Sequence, residues 1–160
     1  MNNLSLLLVE DNPDDEWLAL RTLRKLGLEQ VTVVRDGFAA VSVLIRQVPA
    51  LRPDLVLLDM KLPLMDGIEV LHKVREQAAT SSLNVVLLTS SEDPHALETC
   101  RNLGVLACLQ KPLTAVALLP ILQSLPVQGP QHPAEERLPS RAAVPAAGWT
   151  SPNPILPPAV

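Results

Sequence analysis

The sequence predicts a doubly wound α/β fold, with five (βα) units forming one parallel sheet covered by helices on both faces. Three observations predict it. Five short, near-continuous apolar runs recur along the chain, amphipathic stretches of helical period separate them, and glycine or proline punctuates the joins. Strands that are apolar on both faces belong to a parallel sheet between two helix layers. Right-handed crossovers then distribute the helices to both sides.

Leu4–Val9 is an apolar strand that ends in Glu10-Asp11. Asp14–Leu26 has helical spacing at Trp17, Leu18, Leu20 and Leu23, with Asp14 as its cap and Gly27 as its stop. Val31–Val34 is β-branched throughout and reads as the second strand. Phe38–Val48 presents an apolar face at Phe38, Val41, Leu44, Ile45 and Val48. Asp54–Asp59 reads DLVLLD, and Asp66–Gln77 is amphipathic through Ile68, Leu71 and Val74. Leu83–Thr89 reads LNVVLLT, and Pro94–Leu103 is helical up to Gly104. Val105–Leu109 is the fifth strand and Pro112–Leu125 the fifth helix. Asp36-Gly37, Asp66-Gly67 and Asp93-Pro94 read as turns and helix starts rather than as chemistry.

Composition bounds the class. The chain has 160 residues, a net charge of −4 and 48% hydrophobic residues, which excludes wholesale disorder and argues against nucleic acid as the main partner. No apolar run is long enough for a membrane span, and no basic segment precedes the first apolar run as in a signal peptide. A soluble, cytoplasmic protein is expected. Composition shifts near Leu125, because nine of the 16 prolines fall in the last 35 residues, where they preclude a helix or a central strand. The expected folded domain is therefore 1–125, followed by an extended proline-rich tail over 126–160. That tail reads either as disordered or as a dimerisation arm that lays Trp149, Ile155 and Leu156 on a groove of its own body or of a second copy.

Ligands of such sheets sit beyond the carboxyl ends of the strands. There the sequence places Glu10 and Asp11, then Asp59, then Thr89-Ser90, and Lys111-Pro112 after the fifth strand. No glycine-rich phosphate loop follows the first strand. Three carboxylates at one rim repel one another, and a hard divalent cation would offset that repulsion. His72 and His95 lack a second ligand at helical spacing and read as solvated. Cys100 and Cys108 show no metal-ligand spacing and read as buried, inert core residues.

The stretches LLLVEDNPDD, DLVLLDMKLPLMDGIEVL, VVLLTSS and LQKP, in that order, resemble the receiver domain of two-component response regulators over essentially all of 1–125. The resemblance implies a flavodoxin-like receiver fold with Asp59 as phospho-acceptor. It implies that Glu10, Asp11, Asp59 and the backbone carbonyl of Lys61 bind Mg2+. Thr89 and Lys111 would contact the transferred phosphoryl group, Lys111-Pro112 would be a cis bond, and Ser91 and Lys61 would tune the phosphoryl lifetime. The opening VEDNPDD is similar to stand-alone regulators of bacterial phytochrome kinases, whose members commonly dimerise.

Two features depart from that pattern. Receiver domains usually carry an aromatic residue three positions before the strand-five lysine, and here that position is Cys108. Pro120 falls inside the fifth helix and is expected to kink it or to split it into Thr114–Leu119 and Ile121–Leu125.

The expected function is a single-domain switch that takes a phosphoryl group from a sensor histidine kinase, a bacterial phytochrome being the candidate, and signals through protein contacts. The expected partners are that kinase and a second copy of the chain, with the tail as a candidate part of the dimer contact. No DNA-binding motif or basic patch marks the tail. The alternative is a constitutive dimeric scaffold in which phosphorylation is incidental. An aspartate-nucleophile hydrolase fits poorly, because Lys61 stands two residues after Asp59 where a second aspartate is needed. Turnover of an external substrate is not expected.

Overall fold

The computed structural model describes residues 3–46, 52–90 and 93–126. Val48, Ser91 and the tail with Trp149, Ile155 and Leu156 lie outside the described residues. Met1–Leu125 forms one compact unit. Its elements alternate as the apolar runs require: β1 (Ser5–Val9), α1 (Pro13–Lys25), β2 (Gln30–Val34), α2 (Gly37–Val41), β3 (Leu55–Asp59), α3 (Gly67–Glu76), β4 (Val85–Thr89), α4 (Pro94–Asn102), β5 (Ala107–Gln110) and α5 (Ala115–Ser124). The five strands form one parallel sheet in the order β2-β1-β3-β4-β5.

Side chains alternate across a strand, so each apolar run feeds two cores. Leu7, Val9, Val56, Leu58, Val85 and Leu87 pack with Ala40, Leu44, Val70, Leu71, Val74 and Cys100 of the α2, α3 and α4 layer. Leu6, Leu8, Leu55, Leu57, Val86 and Leu88 pack with Ala19, Leu23, Leu118 and Leu122 of the α1 and α5 layer. Strand order reverses direction at β1, which leaves a crevice between the carboxyl ends of β1 and β3.

Several local expectations are corrected. Asn12, not Asp14, caps α1: its side chain accepts from the backbone N–H of Asp14 and Asp15. Pro13 fills the first helical position, so the cap must precede it, and Asp14 falls inside the first turn. Trp17 is 58% exposed, with the Arg21 guanidinium 5.4 Å from its ring centroid, so the apolar stripe of α1 excludes it. Phe38 is 56% exposed, because the core face of α2 passes through Gly37 and Ala40 instead. A π-helical turn over Ser42–Arg46 follows α2 where a regular helix was expected.

The fifth helix is not split. It runs through Pro120 as one element, capped by the Thr114 hydroxyl, which accepts from the Ala117 N–H at 3.3 Å. Proline removes only one ladder donor, the one facing the Val116 carbonyl, and both Pro120 and Val116 are solvent-exposed. Water can therefore serve the freed carbonyl. Cys100 is fully buried, whereas Cys108 is only half-buried, since β5 is an edge strand.

Candidate functional site

The site forms where β1, β3 and β5 end. Leu6 and Leu8 on β1, Leu55 and Leu57 on β3, and Leu109 on β5 all face the α1 and α5 layer. Continuing the alternation by two residues carries Glu10, Asp59 and Lys111 toward that same side. Lys111 Nζ lies 2.8 Å from Glu10 Oε2 and 2.9 Å from Asp59 Oδ2. Both carboxylates are buried, at 1% and 3% exposure. The second Glu10 oxygen accepts from the Asn12 N–H at 3.1 Å, and Asp59 Oδ1 accepts from the Lys61 N–H at 3.1 Å. Asp11, exposed at the head of the loop, completes a group whose carboxylate oxygens lie within 4.8 Å of one another.

The electrostatics follow from this burial. Desolvation pushes the Glu10 carboxyl up to about 7, against the pull of Lys111 and the Asn12 N–H, and the charge of Asp59 raises it further. Burial pulls Lys111 down, but its bonds to Glu10 and Asp59 outweigh this and hold the ammonium above its usual range. Three oxygen donors, two of them buried and the third open to water, suit a hard cation that keeps part of its hydration shell. Such a cation would also favour the ionised form of Glu10 against the burial that raises it. His72 and His95 do not join the group; both are exposed.

Backbone geometry pins the end of β3. Asp66 and Glu69 form a reciprocal capping box at the start of α3, with bonds of 2.9 Å each way. The Gly67 N–H donates to the Met60 carbonyl at 2.9 Å, and a Cβ at Gly67 would strike the Asp59 carbonyl. This glycine, read from sequence only as a turn, lets α3 begin directly against the end of β3. Thr89 ends β4, is buried, and its carbonyl accepts from the Lys111 N–H at 2.8 Å. Asp59 pairs with Leu88, which puts Thr89 one position past the partner of Asp59. The Lys111-Pro112 bond is cis, as expected.

The sequence reading missed one member. Asp15 Oδ2 lies 3.2 Å from Lys111 Nζ, across 96 residues of chain. No residue of α1 was expected at this rim. The usable signal was topological: α1 starts immediately beyond β1, so its first turn overhangs the same rim as Lys111.

The sequence pattern described as "Response regulator receiver domain" matches residues 6–123. The chain belongs to the receiver-domain family. Among curated relatives, this receiver domain is 35% identical over 122 residues to the sensor protein EvgS of Escherichia coli K12, covering 76% of the chain but only 10% of EvgS. It thus spans about a tenth of that relative. It is 32% identical over 124 residues to the response regulator Rcp1 of Synechocystis sp., covering 75% of the chain and 84% of Rcp1. The solved bacteriophytochrome response regulator AtBRR superposes with a TM-score of 0.67 at 38% identity, over 79% of this chain and 94% of that one. The receiver domain of the Pseudomonas aeruginosa sensor histidine kinase PA1611, solved with magnesium in its active-site cleft, superposes at 0.65 with 34% identity, over 76% and 96% of the two chains. Rcp1 has also been solved with Mn2+ bound, at a TM-score of 0.63 and 29% identity, over 79% and 97%. The structural neighbours thus include metal-bound receiver domains, and here Glu10, Asp11 and Asp59 form an acidic group that could hold a metal ion. Among the described residues, no helix is long and apolar enough to cross a membrane.

Proposed function

We propose that this receiver domain is a switch that accepts a phosphoryl group on Asp59 from the phosphohistidine of a sensor kinase. The observation that carries the reading is the buried Asp59 carboxylate, held between the Lys111 ammonium at 2.9 Å and the Glu10-Asp11 pair. An Asp59 oxygen attacks phosphorus, a P–O bond forms, and the donor's P–N bond breaks with its electron pair leaving on the imidazole nitrogen. Charge in this transfer spreads over the phosphoryl oxygens, so the protein's work is positioning and neutralisation. Lys111 supplies a fixed positive charge, the Lys61 N–H orients the Asp59 carboxylate, and the Thr89 hydroxyl serves as a further donor to the phosphoryl group. Glu10, Asp11, Asp59 and the Lys61 carbonyl would hold Mg2+, which neutralises phosphoryl charge when bound. Water later attacks phosphorus, releasing inorganic phosphate and restoring the carboxylate.

The likeness to AtBRR and Rcp1 supports a phytochrome-type kinase as donor and protein contacts, including self-association, as the output. Intact mass after incubation with phosphoramidate, with and without Mg2+, tests the chemistry. The expected result is a magnesium-dependent phosphate adduct that disappears in Asp59→Asn. No adduct, under conditions that label another receiver domain, would overturn the reading. One observation favours a second reading, a constitutive binding module: Cys108 offers no ring to swing inward behind Thr89. Full biological output from Asp59→Asn would decide for that module.

A further inference from the structure

We propose that Asp15 is a positioning residue for Lys111, an exchangeable carboxylate that competes with the incoming phosphoryl group for the ammonium. The inference rests on the reading of Asp59 as acceptor. An ammonium has three N–H donors. Lys111 Nζ has three carboxylate partners: Glu10 at 2.8 Å, Asp59 at 2.9 Å and Asp15 at 3.2 Å. Its donors are thus fully committed, and a phosphoryl oxygen arriving at Asp59 gains one only by displacing a partner.

The three partners differ in what displacement costs. Glu10 is buried, so releasing it would leave its Oε2 without this partner in the protein interior, where water cannot easily replace it. Asp59 is the acceptor itself. Asp15 makes the longest of the three contacts, its side chain is 33% exposed, and it sits in the first turn of α1 where water can take its place. Asp15 is therefore the partner that yields. Until it does, it draws the ammonium toward α1 and adds a negative charge beside the path of an anionic donor. Both effects slow phosphoryl transfer. Neutralising Asp15 removes both, whereas a residue that merely held Lys111 in place would, on loss, slow the reaction.

The test is the time course of adduct formation from phosphoramidate in Mg2+, followed by intact mass on the full chain. Asp15→Asn is expected to form the adduct roughly two- to fivefold faster than wild type, the size of one partly exposed ion pair. Asp15→Glu keeps the charge and is expected to return the wild-type rate. Thermal melts check that the variants are folded, and Asp15→Ser replaces Asn if that variant is not. Adduct formation by Asp15→Asn at or below the wild-type rate overturns the inference while leaving Asp59 as acceptor. An Asp15→Glu variant as fast as Asp15→Asn also overturns it. No adduct on wild type overturns both readings together.

Discussion

At the scale of single residues, Glu10 governs how the site responds to pH. Its carboxyl ordinarily titrates near 4.5 and here is raised to about 7, chiefly by burial. A raised carboxyl favours the folded state while it is protonated, so its contribution is full below pH 4.5 and is lost as pH rises through 7. Cation binding needs the ionised form and strengthens over the upper part of that window. In chelator, the melting temperature of wild type relative to Glu10→Gln is therefore expected to fall between pH 5 and 8. Added Mg2+ should raise the wild-type melting temperature more at pH 8 than at pH 6. A difference that stays flat with pH would show that Glu10 is not held protonated. The cysteines follow the same burial logic: desolvation, with Cys108 beside it, pushes the Cys100 thiol up to about 12. Burial also raises Cys108, against a bond from Cys100 and the charge of Arg101. Neither thiol is activated. Glu10, Asp11, Asp59 and Lys111 were legible in the sequence because each follows an apolar run. Asp15 was not, because it follows no apolar run and stands inside the first turn of α1. The choice between Asn12 and Asp14 as cap needed the position of Pro13 relative to the first turn.

At the scale of elements, two features carry measurable energy. Arg75, near the end of α3, donates to the carbonyls of Ser81, Leu83, Leu103 and Gly104 at 2.8–3.1 Å. One side chain thereby ties α3 to the loop before β4 and to the turn after α4. Burial without a carboxylate partner among these bonds pulls its guanidinium below the usual range. Arg75→Ala strands these carbonyls and should cost about 2–4 kcal/mol in urea unfolding, with Arg75→Lys recovering only part, since an ammonium cannot reproduce the planar fork. The second feature is Pro120. Pro120→Ala restores the donor to the Val116 carbonyl and removes the ring clash, so α5 should gain about 1–3 kcal/mol, read as a higher urea midpoint. An unchanged midpoint would mean that the helix already relaxes around the ring. Periodicity found α1, α3 and α4 within a residue or two. It failed for Trp17 and Phe38, since an apolar residue at a plausible helical position is not thereby buried when small neighbours such as Ala19, Gly37 and Ala40 fill the core-facing places.

At the scale of the whole molecule, the order β2-β1-β3-β4-β5 leaves β1, β3 and β4 central and β2 and β5 at the edges. Every residue of β3 and β4 is buried, whereas β2 has none fully buried. Amides of β1, β3 and β4 should therefore exchange slowest with deuterium, and those of β2 markedly faster. Equal protection of β2 would mean that something else covers that edge. The parallel sheet was legible because continuous apolar strands suit no half-exposed arrangement. Composition alone set the proline-rich segment apart in the sequence, and composition supplies no contacts. The division of each strand between two cores has a consequence for genetics. Glu10, Asp15, Asp59 and Lys111 gather on the α1 and α5 side of the sheet, while Cys100 and Cys108 belong to the other core. Substitutions of those charges and substitutions of core residues such as Val74 and Cys100 lie on opposite faces of the sheet. Combined, they should act additively. The charged rim around Asp59 and the packing beneath α3 and α4 can then drift separately through sequence change, each keeping its own partners while the other is rebuilt.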